Sequence, residues 1–224
     1  NRNSLIAIAS NIVLEKNKGA TIVTDSITSD GLSEYIEKEL GGVHDRFKRG
    51  YNNVISEAKR LNALGINAPL AIETSGHAAM RENYFLDDGA YLITKIIIKM
   101  VKLKNEGKDF SHILNKLKKP KENFEYRFKI KEDNFREYGK NIINELENFS
   151  KSRKDFKIAP NNKEGIRVSF DKNNGDGWFL LRLSVHDPVM ALNVESNQLG
   201  GCEVILEKIK GFLQRYKGLI LNFD

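Results

Sequence analysis

The sequence predicts a layered α/β domain, with a mixed sheet and helices on both faces, followed by a smaller α+β domain with an antiparallel sheet and two helices. Three observations carry this. Over the first half, helix-period and strand-like runs alternate, the pattern of a sheet whose strands are joined through helices. From about Pro120 the order becomes strand, helix, strands, helix, and the turn Asn173-Asn174-Gly175-Asp176-Gly177 links two of those strands with hairpin chemistry. Between the halves runs a lysine-rich stretch, 105–120. The boundary is placed within it, giving domains 1–118 and 119–224.

Leu5, Ile8, Ala9 and Ile12 fall at helical spacing behind the candidate caps Asn3 and Ser4. Thr21 to Asp25 is a short β-rich run. Leu32, Tyr35, Ile36 and Leu40 restore the helical period, which Gly41-Gly42 ends. A second strand is expected over 43–47. Val54, Ile55, Ala58 and Leu61 mark a helix closed by Gly65, and Pro69 introduces the strand Leu70-Ala71-Ile72. Asp87-Asp88 is read as the cap of a helix carrying Tyr91, Leu92, Ile96 and Met100. A short helix at Phe110, Ile113, Leu114 and Leu117 fits within the lysine-rich stretch.

In the second half, Phe124, Tyr126, Phe128 and Ile130 alternate with charged residues, as on a half-buried strand. Asp133 is expected to cap a helix with Phe135, Tyr138, Ile142, Leu146 and Phe149 on one stripe. Strands are expected over 165–171, 178–184 and 190–196. Val204, Ile205, Ile209, Phe212 and Leu213 belong to a closing helix.

The chain has 224 residues, 40% hydrophobic and 29% charged, ordinary values for a globular protein. The most apolar helix candidate, 90–103, is interrupted by Lys95, Lys99 and Lys102, so no membrane span is expected. No basic-then-apolar leader opens the sequence, and the expected location is cytoplasmic. Cys202 is the only cysteine and there are four histidines, which excludes an intrachain disulfide and disfavours structural zinc. Net charge is +6 with pI near 9.2, a balance that admits a nucleic-acid reading. The surplus is mainly lysine between Lys95 and Lys131, without a recognised reading motif. A solvated lysine-rich surface is expected, and no nucleic-acid partner.

Glu73, Ser75 and His77 alternate just past a strand, at a point where Gly76 permits a sharp turn. A carboxylate accepts hydrogen bonds from a vicinal diol, a hydroxyl gives or takes another, and an imidazole moves a proton near neutral pH. That set suits a sugar ring; a plain polar turn is the alternative. Lys48 ends another strand of the same domain. Strand ends of an open α/β sheet gather along one edge and build the ligand crevice, so Lys48 is a candidate for the same ligand or else a solvated lysine. In Arg182-Leu183-Ser184-Val185-His186-Asp187-Pro188, a guanidinium and a hydroxyl leave a strand end on one face. Together with backbone N–H groups they match the donors a phosphate needs. A surface salt bridge and a strand-ending serine are the alternative.

The blocks 21–26, 47–51, 73–77 and 86–91, in that order, resemble the third domain of the α-D-phosphohexomutases, the phosphomannomutase/phosphoglucomutase family. Arg182 to Pro188 and the strand after it resemble the fourth domain. Val185, His186 and Asp187 stand where the family's commoner loop reads Gly-Thr-Glu, while Arg182, Ser184 and Pro188 keep its pattern. Neither a Ser-His-Asn-Pro phosphoserine loop nor an Asp-x-Asp-x-Asp metal loop is found, so the resemblance implies the C-terminal half of such an enzyme. It implies interconversion of hexose 1-phosphate and hexose 6-phosphate (mannose or glucose) through a bisphosphorylated intermediate. Mg²⁺ is then expected in the N-terminal half, domains one and two, and hexose 1,6-bisphosphate as activator and intermediate.

By the same resemblance Glu73 and Ser75 hold sugar hydroxyls, His77 is a general acid or base, and Lys48 touches the substrate. Arg182, Ser184, Val185 and His186 grip the phosphate that is not transferred. No metal ligand is expected in these residues, and the chain alone is expected to be inactive. A free-standing, non-catalytic phosphosugar-binding module is the alternative.

Overall fold

The computed structural model describes residues 2–160 and 162–223. The chain divides into two compact units, Asn1–Lys119 and Pro120–Asp224.

The first unit opens with α1 (Arg2–Leu14), β1 (Thr21–Asp25) and α2 (Asp30–Glu34), which runs on as a π-helical turn, Tyr35–Glu39. There follow β2 (Val43–Phe47), α3 (Tyr51–Ala63), β3 (Leu70–Ile72), β4 (Ala78–Met80), a 3₁₀ turn at Arg81–Asn83, α4 (Gly89–Asn105) and α5 (Phe110–Leu114). The sheet order is β2-β1-β3-β4. β1 pairs in parallel with β2 and β3, whereas β4 returns antiparallel to β3, with Leu70 opposite Met80.

Alternation along β1 and β3 explains the layers, because successive side chains point to opposite faces. Ile22, Leu70 and Ile72 pack with Ile6, Val13, Leu92 and Ile113 of α1, α4 and α5. Val23 and Ala71 turn the other way, against Val54, Ala58 and Leu61 of α3. The mixed sheet with helices on both faces is therefore as the sequence predicts.

Local corrections concern faces and caps. The buried stripe of α1 is Ile6, Ala9, Ser10 and Val13, with Ile8 and Ile12 only partly covered. Asn3 and Ser4 lie inside that helix rather than capping it, and Asn3 Oδ1 accepts from Ser29 N at 3.3 Å. In α4 the buried positions are Leu92 and Leu103, whereas Met100 is exposed. Lys99 falls on the inner side and reaches Glu15. Helical spacing alone cannot tell an inner from an outer stripe when apolar residues occupy both.

The second unit comprises β5 (Glu122–Ile130), α6 (Phe135–Lys151), β6 (Lys157–Ile158), β7 (Ile166–Phe170), β8 (Gly177–Leu183), β9 (Val189–Ser196), α7 (Gly201–Leu213) and β10 (Leu219–Ile220). Its sheet runs β10-β5-β9-β8-β7-β6, every neighbouring pair antiparallel. The edge strands β6 and β10 have two residues each, too few to leave a periodic signature. One face packs Phe128, Ile142, Leu146, Phe179, Leu192, Ile205 and Phe212 into a single core under both helices. Asn134, not Asp133, caps α6: its Oδ1 accepts from Glu137 N at 3.4 Å. Val204 stays exposed on α7.

Gly139 marks where α6 meets the sheet. A Cβ there would lie 2.6 Å from Leu183 Cδ1 and 3.1 Å from Met190 Sδ. Leu183 is the residue between Arg182 and Ser184, so α6 sets where that strand end lies.

Candidate functional site

Because β1, β2 and β3 are parallel, their carboxyl ends share one edge, and the chain leaves that edge at Ser26, Lys48 and Glu73. Past β3 the backbone turns tightly: Gly76 N donates to Glu73 O at 3.0 Å and Glu73 N to His77 O at 2.9 Å, with Gly76 at φ 102°. That φ is open to glycine and costly for other residues. The turn brings Ser75 Oγ to Glu73 Oε2 at 3.2 Å, while Gly50 N donates to Glu73 Oε1 at 2.6 Å. Glu73, only 5% exposed, therefore braces its own loop to the loop after β2. Each carboxylate oxygen retains a second lone pair for a ligand hydroxyl.

Beneath the turn lies Asp25, fully buried at the end of β1. Thr74 donates to it twice, from N at 3.1 Å and from Oγ1 at 2.6 Å. Burial pushes the Asp25 carboxyl above the ordinary carboxylate range, against the two Thr74 hydrogen bonds that lower it, with neighbouring Glu73 adding to the rise.

His77 is half-exposed, and its Nδ1 lies 2.7 Å from Asp87 Oδ2, while Asp87 Oδ1 accepts from Ala78 N at 3.2 Å. A carboxylate can only accept, so Nδ1 carries the proton in this contact and Nε2 is left for chemistry. The Tyr51 ring stacks on the imidazole, centroids 5.1 Å apart. Of the Asp87-Asp88 pair read as a cap, Asp88 caps α4 through Tyr91 N at 2.9 Å. Asp87 instead orients His77.

Lys48 is exposed one residue past β2. Its loop reaches Glu73 through Gly50 and His77 through Tyr51, and Lys48 lies two residues before Gly50 in that loop. Asp25, Thr74, Asp87 and Tyr51 escaped the sequence reading as site residues. The only local signal was that each sits within a block that carried the family resemblance.

In the second unit Arg182 closes β8 and is buried. Ser184 N donates to Val189 O at 2.8 Å, and Ser184 Oγ accepts from Asp187 N at 3.4 Å, closing a short turn. Val185, His186, Asp187 and Pro188 are exposed on it. The backbone N–H groups of Val185 and His186 take no part in these turn bonds. Arg182 and Ser184 share one face by strand alternation.

Among the described residues no three His, Cys, Asp or Glu side chains converge to hold a metal. Nor is any described helix long and apolar enough to cross a membrane. Much of the lysine surplus is paired: Lys95 with Glu82, Lys99 with Glu15, Lys116 with Glu39 and Lys118 with Glu34.

Fold and strand-edge cluster together define an open α/β domain with a polar corner at the carboxyl edge of its parallel strands. Residues 1–120 match the family phosphoglucomutase/phosphomannomutase, alpha/beta/alpha domain III, and the chain belongs to that family. It is 28% identical over 211 residues to a phosphoglucomutase of Neisseria meningitidis, spanning 93% of this chain and 41% of that protein. A phosphoglucomutase/phosphomannomutase family protein from Burkholderia thailandensis shares the fold, with a TM-score of 0.71 at 24% identity over 95% of this chain and 41% of that one. N-acetylphosphoglucosamine mutase of Aspergillus fumigatus, solved with GlcNAc-6P and magnesium, aligns with a TM-score of 0.55 at 10% identity, covering 95% and 43%. The chain thus spans less than half the length of these relatives and corresponds to a C-terminal portion of them.

Proposed function

We propose that this chain supplies sugar recognition and the distal-phosphate grip of a phosphohexomutase, an intramolecular phosphotransferase interconverting hexose 1-phosphate and hexose 6-phosphate of mannose or glucose. The observation that carries the reading is the turn at Glu73–His77. There a carboxylate, a hydroxyl and an imidazole oriented by Asp87 gather at the carboxyl edge of parallel strands. In the cycle, a phosphoserine on the part of the relatives' length not spanned here passes its phosphoryl group to the free hydroxyl of the hexose phosphate. The hydroxyl proton leaves to a base. The resulting hexose 1,6-bisphosphate turns end for end, and its other phosphoryl group returns to the serine. The Mg²⁺ site is assigned to the same unspanned part, domains one and two.

Within that scheme Ser75 and the outer lone pairs of Glu73 hold ring hydroxyls, and Lys48 meets the ligand's charge. His77, with Nδ1–H held by Asp87, takes or returns the hydroxyl proton at Nε2. Arg182 and Ser184, with the backbone N–H groups of Val185 and His186 and the His186 ring, grip the phosphate that is not transferred. Holding that phosphate in either orientation lets one site serve both ends of the sugar, and positioning supplies much of phosphoryl-transfer catalysis.

Arg182→Ala in the whole protein tests the reading. Substrate binding is expected to weaken by about 1.5–3 kcal/mol, the scale of a charge-assisted contact. Unchanged steady-state kinetics would overturn it. The 224-residue chain alone is expected to bind glucose 1,6-bisphosphate in a calorimetric titration without turning over a hexose 1-phosphate.

A further inference from the structure

The first unit carries a second concavity at the opposite end of β3. Glu73 leaves the carboxyl end of that strand, whereas Pro69, at its amino end, joins the end of α1 and the face of α4 bearing Lys95, Lys99 and Lys102 in lining a cavity of about 530 Å³. That volume is in the range of small-molecule sites. Its composition is divided. Ile12, Val13, Pro69, Met80 and Ile98 form an apolar wall, with Met80 buried and Ile98 half-exposed toward the opening.

Around this wall stand five cationic side chains, Lys16, Arg81, Lys95, Lys99 and Lys102, against two carboxylates, Glu15 and Glu82. Two of the cations are held in place. Lys99, with its side chain only 12% exposed, pairs with Glu15 of the turn after α1, and Lys95, at 22%, pairs with Glu82 at 2.6 Å. Arg81 donates to Asn62 Oδ1 at 2.8 Å and to Asn17 Oδ1 at 3.4 Å. Lys16 and Lys102 are exposed at the rim and complete a positive surplus.

We propose that this cavity is a second ligand site, taking an organic phosphate monoester whose body is apolar. The reasoning follows from the division. Lys95 and Lys99 are balanced by Glu82 and Glu15, so the surplus positive charge of Arg81, Lys16 and Lys102 beside low-dielectric walls is what attracts an anion. An apolar wall gains from covering by an apolar body, which inorganic phosphate lacks. A hexose phosphate fits poorly, because its hydroxyls would lie against Ile12, Met80 and Ile98 without partners. The site is thus distinct in chemistry and place from the turn at Glu73–His77, and its existence does not depend on the reading of that turn.

Titration of the chain with 1-naphthyl phosphate tests this, the variants first being shown folded by circular dichroism. The expected dissociation constant is below about 0.1 mM, a modest affinity for a site of this size. The double variant Lys16→Glu/Lys102→Glu, changing two exposed residues, is expected to weaken binding at least about tenfold, as is Ile98→Asn, which spoils the apolar wall without altering the charge of the site. Glu73→Gln and an excess of glucose 1,6-bisphosphate are expected to leave binding unchanged. The proposal is overturned by absence of binding at millimolar ligand, by both variants binding as the parent does, by inorganic phosphate binding equally well, or by displacement with the bisphosphate.

Discussion

Asp87 Oδ2 accepts a hydrogen bond from His77 Nδ1 at 2.7 Å, and the same carboxylate holds the amide of Ala78, so one acidic residue fixes both the ring and the strand beside it. A base whose proton-bearing nitrogen is committed in this way presents its other nitrogen in a single tautomer. Asp87→Ala in the whole protein is therefore expected to lower kcat by roughly 10- to 100-fold, part of what general acid–base catalysis supplies. KM should change little, because Asp87 is not among the groups proposed to hold the sugar. A fall in thermal stability with kcat intact would make Asp87 a purely structural residue.

Asp25 underlies the same turn, and its two acceptor contacts with Thr74 are buried. Asp25→Ala leaves the Thr74 donors unpaired and is expected to cost about 2–3 kcal/mol in urea unfolding. Asp25→Asn should cost less, since an amide keeps one acceptor. Because burial raises the folded carboxyl's proton affinity above its ordinary value, this group favours the fold at acid pH. It gives up that contribution as pH rises through the raised folded value. The stability of Asp25→Asn relative to the parent should accordingly improve from pH 4 to pH 7.

Asp155 runs the other way. Its hydrogen bond from Lys208, with a second from Arg153, brings the carboxyl from the ordinary 3.8 down to about 2. A depressed acid contributes stability above its unfolded value and loses it as pH falls toward the folded one. Asp155→Asn should lose that contribution above about pH 4, flatten the stability profile between about pH 4 and pH 2, and approach the parent near pH 2. An unaltered acid limb would remove Asp155 from the account of acid unfolding.

Cys202 is 2% exposed at the start of α7, and burial, aided by Glu122, pushes its thiol up to about 12. The thiolate is the reactive species, so a disulfide reagent at pH 8 should label Cys202 only as fast as the second unit opens. Immediate stoichiometric labelling of the folded protein would contradict this.

Most strands and helices were legible because their signals are local, whereas Ala78–Met80 and the two-residue edge strands β6 and β10 were not expected. Thr21–Asp25 and Val43–Phe47 are bounded by glycines or polar turns, and Leu70–Ile72 follows a proline. What escaped depends on partners far along the chain. Thr74 meets Asp25 across 49 residues, and nothing near either residue announces the pairing. Of two adjacent aspartates, only the fold decides that Asp88 caps α4 while Asp87 turns to His77. The π turn at Tyr35–Glu39 keeps Tyr35 and Ile36 buried and leaves Leu40 half-buried against the same core, since i→i+5 hydrogen bonding shifts the helical phase. The polar residues of the turn were readable; the contacts that brace them were not.

Gly139 poses a trap for protein engineering. Mid-helix glycine is the first position that a thermostability campaign would replace, since alanine there firms a helix by about 0.5–1 kcal/mol. Here the vacant volume is already claimed by a methyl of Leu183. The extra carbon would have to push that leucine aside, and Arg182 and Ser184 flank it. A sturdier rod would be obtained at the expense of the aim of the two side chains beside it.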